Sequence, residues 1–324
     1  MELNKDSPII KNLFRKRDLL AAGDPEHEKI GTALIILGGC MGGVCGGGTL
    51  IALNTLELMD SFDVAVTVST GSAIGAYGLA GYEQARIGTS IYYEDCFRHN
   101  FIDFSRFFSG RGPLIDIDFI EWMFRQGGKT GGKKLDTGAI IRNRTKFFVG
   151  ITNSSSGEGF LVNAKQAQPD MISVLTASVA MPGLYGRSRT INGIRGIDGG
   201  IGLQFPIKET VDRFHPTDIL VIANCSQRSA AVKDPSLAEL AVRPLLFRNL
   251  PAPLRKKIYQ RFDLFNRGMT YLLSAKDINF GMIWGSGDVK LLTRNPKKLR
   301  RAAQNSAQKT LGIFGEPDKK IQLL

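Results

Sequence analysis

Several scarcities narrow the class of this chain before any motif is read. No segment approaches the roughly 18 consecutive apolar residues of a membrane-spanning helix, and the N-terminal stretch MELNKDSPIIKNLFRKRD has scattered charges where a secretory signal would have an apolar core. The expectation is a cytoplasmic chain, free or peripheral at a membrane. Cysteine is scarce: Cys40, Cys45, Cys96 and Cys225 are irregularly spaced, with no C-x-x-C pair, which fits reduced thiols rather than a disulfide framework or a zinc site. Histidine is scarcer still, with only His27, His99 and His215. Internal repeats and low-complexity tracts are missing. Acidic residues number 30 against 42 Lys and Arg, giving a net charge of +12 that calls for an anionic partner, either nucleic acid or a membrane with acidic headgroups. No nucleic-acid motif accompanies the charge.

What is present reads as a folded α/β protein. Hydrophobic residues make up 43% and charged residues 22% of 324 residues, enough for a large core. Residues 1–30 are polar and mixed, and predict a helix or an arm outside the core. Thr32 to Leu37 (TALIIL) has the profile of a buried parallel strand, Gly38 to Gly48 that of a loop, and the following TLIALNTLELM that of a helix. Asp63 to Val68 predicts a second strand leading into the small-residue helix SAIGAYGLAGY. Further on come a helix at Ile117 to Phe124, strands at Lys146 to Thr152 and Gly159 to Asn163, a helix from Pro169 to Ala180, and a buried strand at Asp218 to Ala223. Strands alternating with helices imply a mostly parallel sheet. The composition becomes basic and helical from Leu254 onward.

Three stretches carry possible chemistry. In LGGCMGGVCGGGT (37–49), consecutive glycines ahead of a helix N-terminus can turn backbone N–H groups toward an anion or a developing oxyanion, or can serve structure alone. A phosphate-binding P-loop would need Lys where Gly48 stands, and the dinucleotide spacing fails at Ile51. In TVSTGSAIG (67–75), Ser69 lies between a predicted strand and a predicted helix, the setting of a nucleophile elbow, with Gly71 two residues after it but Thr67 where the first glycine should be. In IRGIDGGIGLQFPI (194–207), Asp198 lies in an apolar setting ahead of Gly199 and Gly200, as a turn former or as a base. None of the three histidines lies in a loop that returns to the elbow, so a Ser-His-Asp triad lacks support, and a direct Ser–Asp dyad is the alternative.

A Gly-rich loop after the first strand, a serine elbow after the second and a later Asp-Gly-Gly together resemble the patatin-like phospholipases. GPLIDIDFIEWMF (112–124), FFVGITN (147–153), TASVAMPGLYG (176–186) and IDGGIGLQFPI (197–207) extend the resemblance in the family's order, over residues 32 to 230. It implies a three-layer α/β/α sandwich with a central mostly parallel sheet over residues 31–230, preceded by the 1–30 arm and followed by a basic, mainly helical part at 231–324 on the same domain. It also implies a phospholipase A-type lipid acyl hydrolase that forms an acyl-enzyme, with Ser69 as nucleophile and Asp198 as activating carboxylate. Gly42, Gly43, Val44 and Gly46 match the oxyanion loop, and Gly71, Gly199 and Gly200 the supporting turns; no metal or cofactor is implied. Two departures are Thr67 and Cys45, the latter where the family usually has Arg or Lys. They leave open a catalytically silent member that acts as a membrane-binding or regulatory module.

The partners implied are a phospholipid or other acyl ester and an anionic membrane surface. Leu254, Ile258, Phe262, Phe265, Met269 and Leu272 recur at helical spacing among Arg255, Lys256, Lys257, Arg261 and Arg267. That stripe is either core-packing with a solvated basic face, or interfacial. A second basic helix is predicted from Asn295-Pro296.

Overall fold

The run at 32–37 becomes β1 (Thr32–Ile36), which pairs in parallel with β2 (Val64–Val68) on one side and β7 (Asp218–Ala223) on the other. Every residue of these three strands is buried, which explains why their sequences show continuous apolar runs rather than alternation. The computed structural model describes residues 3–230 and 246–324. The sheet has eight strands: β1 and β2, β3 (Lys146–Asn153), β4 (Gly159–Asn163), β5 (Arg189–Ile191), β6 (Ile194–Asp198), β7, and β8 (Asn279–Trp284). The chain of hydrogen-bonded neighbours is β5-β6-β3-β2-β1-β7-β8, with β4 paired antiparallel to β3; β1, β2, β3, β7 and β8 are parallel, β6 is antiparallel to β3, and β5 is antiparallel to β6.

Alternate strand residues feed opposite faces. Leu34, Ile36, Ala65, Leu220 and Ile222 join one apolar cluster with helices α1 (Pro8–Ala21), α2 (Gly43–Thr55), α3 (Thr70–Leu79) and α4 (Tyr82–Tyr93). Ala33, Ile35, Val64, Val66, Ile219 and Val221 join a second cluster with the helices Ile207–Phe214 and Arg261–Ser274. The result is a three-layer α/β/α sandwich on a mostly parallel sheet.

Two expectations are corrected. Residues 1–30 are not an arm outside the core: Ile9, Ile10 and Leu13 of α1 are buried in the first cluster. Lys16 is fully buried, donates to Ile30 O at 2.5 Å and Thr32 Oγ1 at 3.1 Å, and pairs with Asp63; loss of hydration pulls its ammonium below the ordinary lysine range. The glycine loop is shorter than 38–48, because α2 starts at Gly43. Gly46, Gly47 and Gly48 lie inside the helix, where a methyl group would overlap Asn224, Thr89 and the Ala303 carbonyl respectively. Close approach of neighbours outweighs the roughly 1 kcal/mol by which glycine disfavours a helix interior. The C-terminal part, expected to be mainly helical, also contributes one strand, since β8 completes the sheet edge beside β7.

The stripe from Leu254 to Leu272 forms two helices, Ala252–Tyr259 and Arg261–Ser274, and faces inward. Leu254 and Ile258 pack with Ile197, Ile201 and Phe247, while Phe265, Met269 and Leu272 pack on the sheet. The helix expected from Asn295-Pro296 is Pro296–Ile313, with the Asn295 side chain accepting from Lys298 N–H at 3.0 Å. The expected boundary at residue 231 falls within 231–245, outside the described residues.

Candidate active site

Strand register brings Ser69 and Asp198 together. β4 occupies one edge of β3 over residues 148–152, so β2 and β6 share the other edge in succession. The last pair of β2 is Val68 with Gly150, and β6 takes over with Asp198 beside Ile151. Ser69 is one residue beyond Val68. Its Oγ donates to Asp198 Oδ2 at 2.9 Å.

Ser69 adopts φ 54°, ψ −133°, a left-handed backbone costly for a residue with a Cβ, at the turn from β2 into α3. Gly71 makes the turn possible: a methyl group there would overlap the carbonyls of Ile36 and Leu37. Hydroxyl groups hold the turn from behind. Ser69 N–H donates to Ser178 Oγ at 2.9 Å, and Ser178 Oγ–H donates to Gly150 O at 2.8 Å. With its proton so placed, Ser178 accepts from Ser72 Oγ at 3.0 Å, and Ser72 accepts from Thr67 Oγ1 at 3.0 Å. Thr67, the departure from an elbow glycine, therefore starts a one-way chain of hydroxyls. Its methyl is accommodated because residue 75 is glycine, where an added Cβ would lie 3.0 Å from Thr67 Cγ2. Ser72 and Ser178 went unread in the sequence, where a serine gives no sign of its partner.

Asp198 is buried at the end of β6. Its Oδ1 accepts Gly200 N–H at 2.8 Å, and its backbone carbonyl accepts Thr152 Oγ1 at 2.8 Å. Burial pushes the carboxyl up to about 6, against the hydrogen bonds from Gly200 and Ser69 that hold it down. Gly199 has no room for a side chain, since a Cβ would overlap the Gly150 carbonyl. None of His27, His99 or His215 hydrogen-bonds to Ser69 or Asp198.

Gly38 packs against Ser69: an added Cβ there would lie 2.9 Å from Ser69 Cβ. Gly39 and Cys40 follow, Cys40 at φ 46°. Among the described residues no hydrogen bond engages the N–H groups of Gly38, Gly39 or Cys40. The residues matched from sequence as oxyanion donors lie further along. Gly42 N–H donates to Gly39 O at 2.8 Å, Gly43 and Val44 begin α2, and Gly46 N–H donates to Asn224 Oδ1 at 3.0 Å. Gly38, the loop residue against Ser69, thus lies ahead of the matched positions. Cys45 is likewise inside α2, buried, its thiol accepting from Ser286 N–H at 3.4 Å and pushed up by burial. Asn224, just past β7, ties both ends of the loop together: Nδ2 donates to Leu37 O at 2.6 Å while Oδ1 accepts from Gly46. Nothing local in the sequence marks Asn224, whose partners are more than 170 residues away.

The reactive-looking groups thus collect where parallel strands end and helices begin, the usual place for a site in an open α/β sheet. Residues 34–211 match the model of the patatin-like phospholipase family, and the chain belongs to that family. It is 26% identical over 186 residues to the protein YjjU of Escherichia coli (strain K12), a stretch that covers 55% of this chain and 50% of that protein. The chain thus aligns with about half the length of that relative. Among solved structures, VipD from Legionella pneumophila is similar with a TM-score of 0.41 and 12% identity, over 88% of this chain and 67% of that one. No helix among the described residues is long and apolar enough to cross a membrane.

Proposed function

We propose that the protein is a lipid acyl hydrolase using Ser69 and Asp198 as a dyad. The observation that carries this reading is the 2.9 Å hydrogen bond from the strained Ser69 hydroxyl to a buried carboxylate. Asp198 takes the Ser69 proton as Oγ attacks the acyl carbon, giving a tetrahedral oxyanion. The N–H groups of Gly38, Gly39 and Cys40, with that of Thr70 at the first turn of α3, are the donors for its negative charge; one such donor is worth about 10²–10³ in rate. Collapse breaks the ester bond, and the leaving alcohol takes the proton from Asp198. Water then gives a proton to Asp198 as it attacks the acyl-enzyme, and the fatty acid leaves as Ser69 regains its hydrogen.

The alternative of a silent member rested on Thr67 and Cys45. Thr67 fits over Gly75 and feeds the hydroxyl chain, and Cys45 lies within α2, so neither observation favours that alternative. The test is fatty-acid release from vesicles containing anionic phospholipid, compared among the wild type, Ser69→Ala and Asp198→Asn. Release that falls to background in both variants, with stoichiometric fluorophosphonate labelling of Ser69 in the wild type, is the expected outcome. An unlabelled Ser69 and no release from well-folded wild-type protein would sink the reading.

A further inference from the structure

Of ten large apolar side chains exposed among the described residues, four lie on two segments that meet at Arg294: Phe97 (54%), Phe104 (39%), Phe108 (73%) and Leu291 (61%). Arg294 donates to Ile102 O at 3.4 Å, and its guanidinium lies 5.5 Å from the Phe104 ring centre. Phe97 and Arg294 line a cavity of about 80 Å³, walled also by Met41, Tyr92, Cys96 and Phe101. The cavity adjoins the candidate site from two sides. Met41 directly follows the 38–40 loop and donates its N–H to Leu291 O at 3.2 Å, and the Tyr92 hydroxyl bonds with that of Thr70, the neighbour of Ser69.

The charges on this face are one-sided. Arg98, Arg111 and Arg294 are exposed, whereas nearby acids are engaged by the protein. Asp95 pairs with Lys133, Asp116 with His99 and Arg106, and Asp103 accepts from Arg106 N–H and Ser105 Oγ. Asp288, exposed on the second segment, is offset by Lys290. Projecting aromatic side chains flanked by arginine suit the boundary between lipid headgroups and acyl chains, where rings bury in the apolar layer and cations meet acidic headgroups. On the basic helices after Leu254 the stripe packs largely into the core, and the large apolar side chains left exposed there are two, Tyr259 and Leu273, against four on this face.

We propose that the Phe97–Phe108 segment, with Leu291 and Arg294, is the face that docks on an anionic phospholipid surface and turns the mouth of the site toward it. The proposal rests on the acyl-hydrolase reading only in that a surface-held substrate gives the face its use, so binding is tested apart from hydrolysis. The probe is sedimentation of the full Ser69→Ala chain with phosphatidylcholine vesicles, with and without phosphatidylglycerol. Binding is expected to need phosphatidylglycerol and to weaken with salt. Phe104→Ala with Phe108→Ala should weaken partitioning on the order of tenfold or more, while Leu273→Ala, exposed at 65% on another helix, leaves it unchanged. In a separate chain, Phe108→Trp, a substitution that keeps the aromatic character, should shift its emission to the blue on vesicles. Failure to bind anionic vesicles, equal binding by the double phenylalanine variant, or an unmoved Phe108→Trp emission overturns the proposal. An absence of fatty-acid release by the wild type bears on the hydrolase reading alone and leaves the binding result standing.

Discussion

A carboxylate that takes a proton from a serine has to be ionised, yet Asp198 is buried where ionisation is disfavoured. Its proton is bound more tightly in the folded chain (about 6) than at the ordinary value of 3.8. This group therefore favours the folded state most below pH 3.8, and that contribution is lost as pH rises through about 6. The gap corresponds to about 3 kcal/mol. Asp198→Asn is accordingly expected to abolish hydrolysis while raising stability at pH 8 by about 1–3 kcal/mol in urea denaturation, with the difference shrinking toward pH 4. Hydrolysis by the wild type should climb with pH through an apparent value near 6, read from kcat/KM on a soluble ester. A destabilised Asp198→Asn chain at pH 8 would contradict this account of the carboxyl.

Among elements, the turn from β2 into α3 shows how far a motif can be read. Ser69, Gly71 and the flanking strand and helix were legible from residue order, but the space that admits Thr67 comes from Gly75 one helical turn on, which looks like any helix glycine. Gly75→Ala should destabilise by about 1–3 kcal/mol, because its new methyl meets Thr67 Cγ2 and Ile36 Cδ1 near 3 Å. Thr67→Ser removes that methyl and keeps the hydroxyl, so the double variant should recover part of the loss. Equal stability of Gly75→Ala and its pair with Thr67→Ser, measured by thermal unfolding, would refute the spatial coupling. The glycines of the 38–48 stretch hide their structure for a related reason. Gly46, Gly47 and Gly48 look like loop residues locally, yet the packing of α2 against Asn224, α4 and the helix Pro296–Ile313 requires them inside a helix. Gly38, which packs against Ser69, lies ahead of the 42–46 stretch matched to the oxyanion loop from sequence.

At the level of the whole molecule, the buried parallel strands announced themselves by apolar runs, whereas α1 and β8 did not. α1 is polar along most of its length and buries a narrow stripe with Lys16, and β8 (NFGMIW) is half-buried at the sheet edge beyond a basic stretch. Both belong to the same core as the site. A chain cut back to residues 31–230 loses α1, β8 and the Pro296–Ile313 helix that packs along α2, and is expected to lack a cooperative thermal transition by circular dichroism. A sharp transition in that fragment would show the core to be divisible. The succession of β2 and β6 along one edge of β3 makes that strand a ruler for the two residues at its side. One residue added between Gly150 and Ile151 displaces one mark against the other by about 3.3 Å, beyond the reach of a hydrogen bond, and turns alternate side chains to the opposite face. Length can change in the segments at 99–116 and 127–136 without touching that ruler. The surface of this fold can thus lengthen, but not the few residues that set Ser69 beside Asp198.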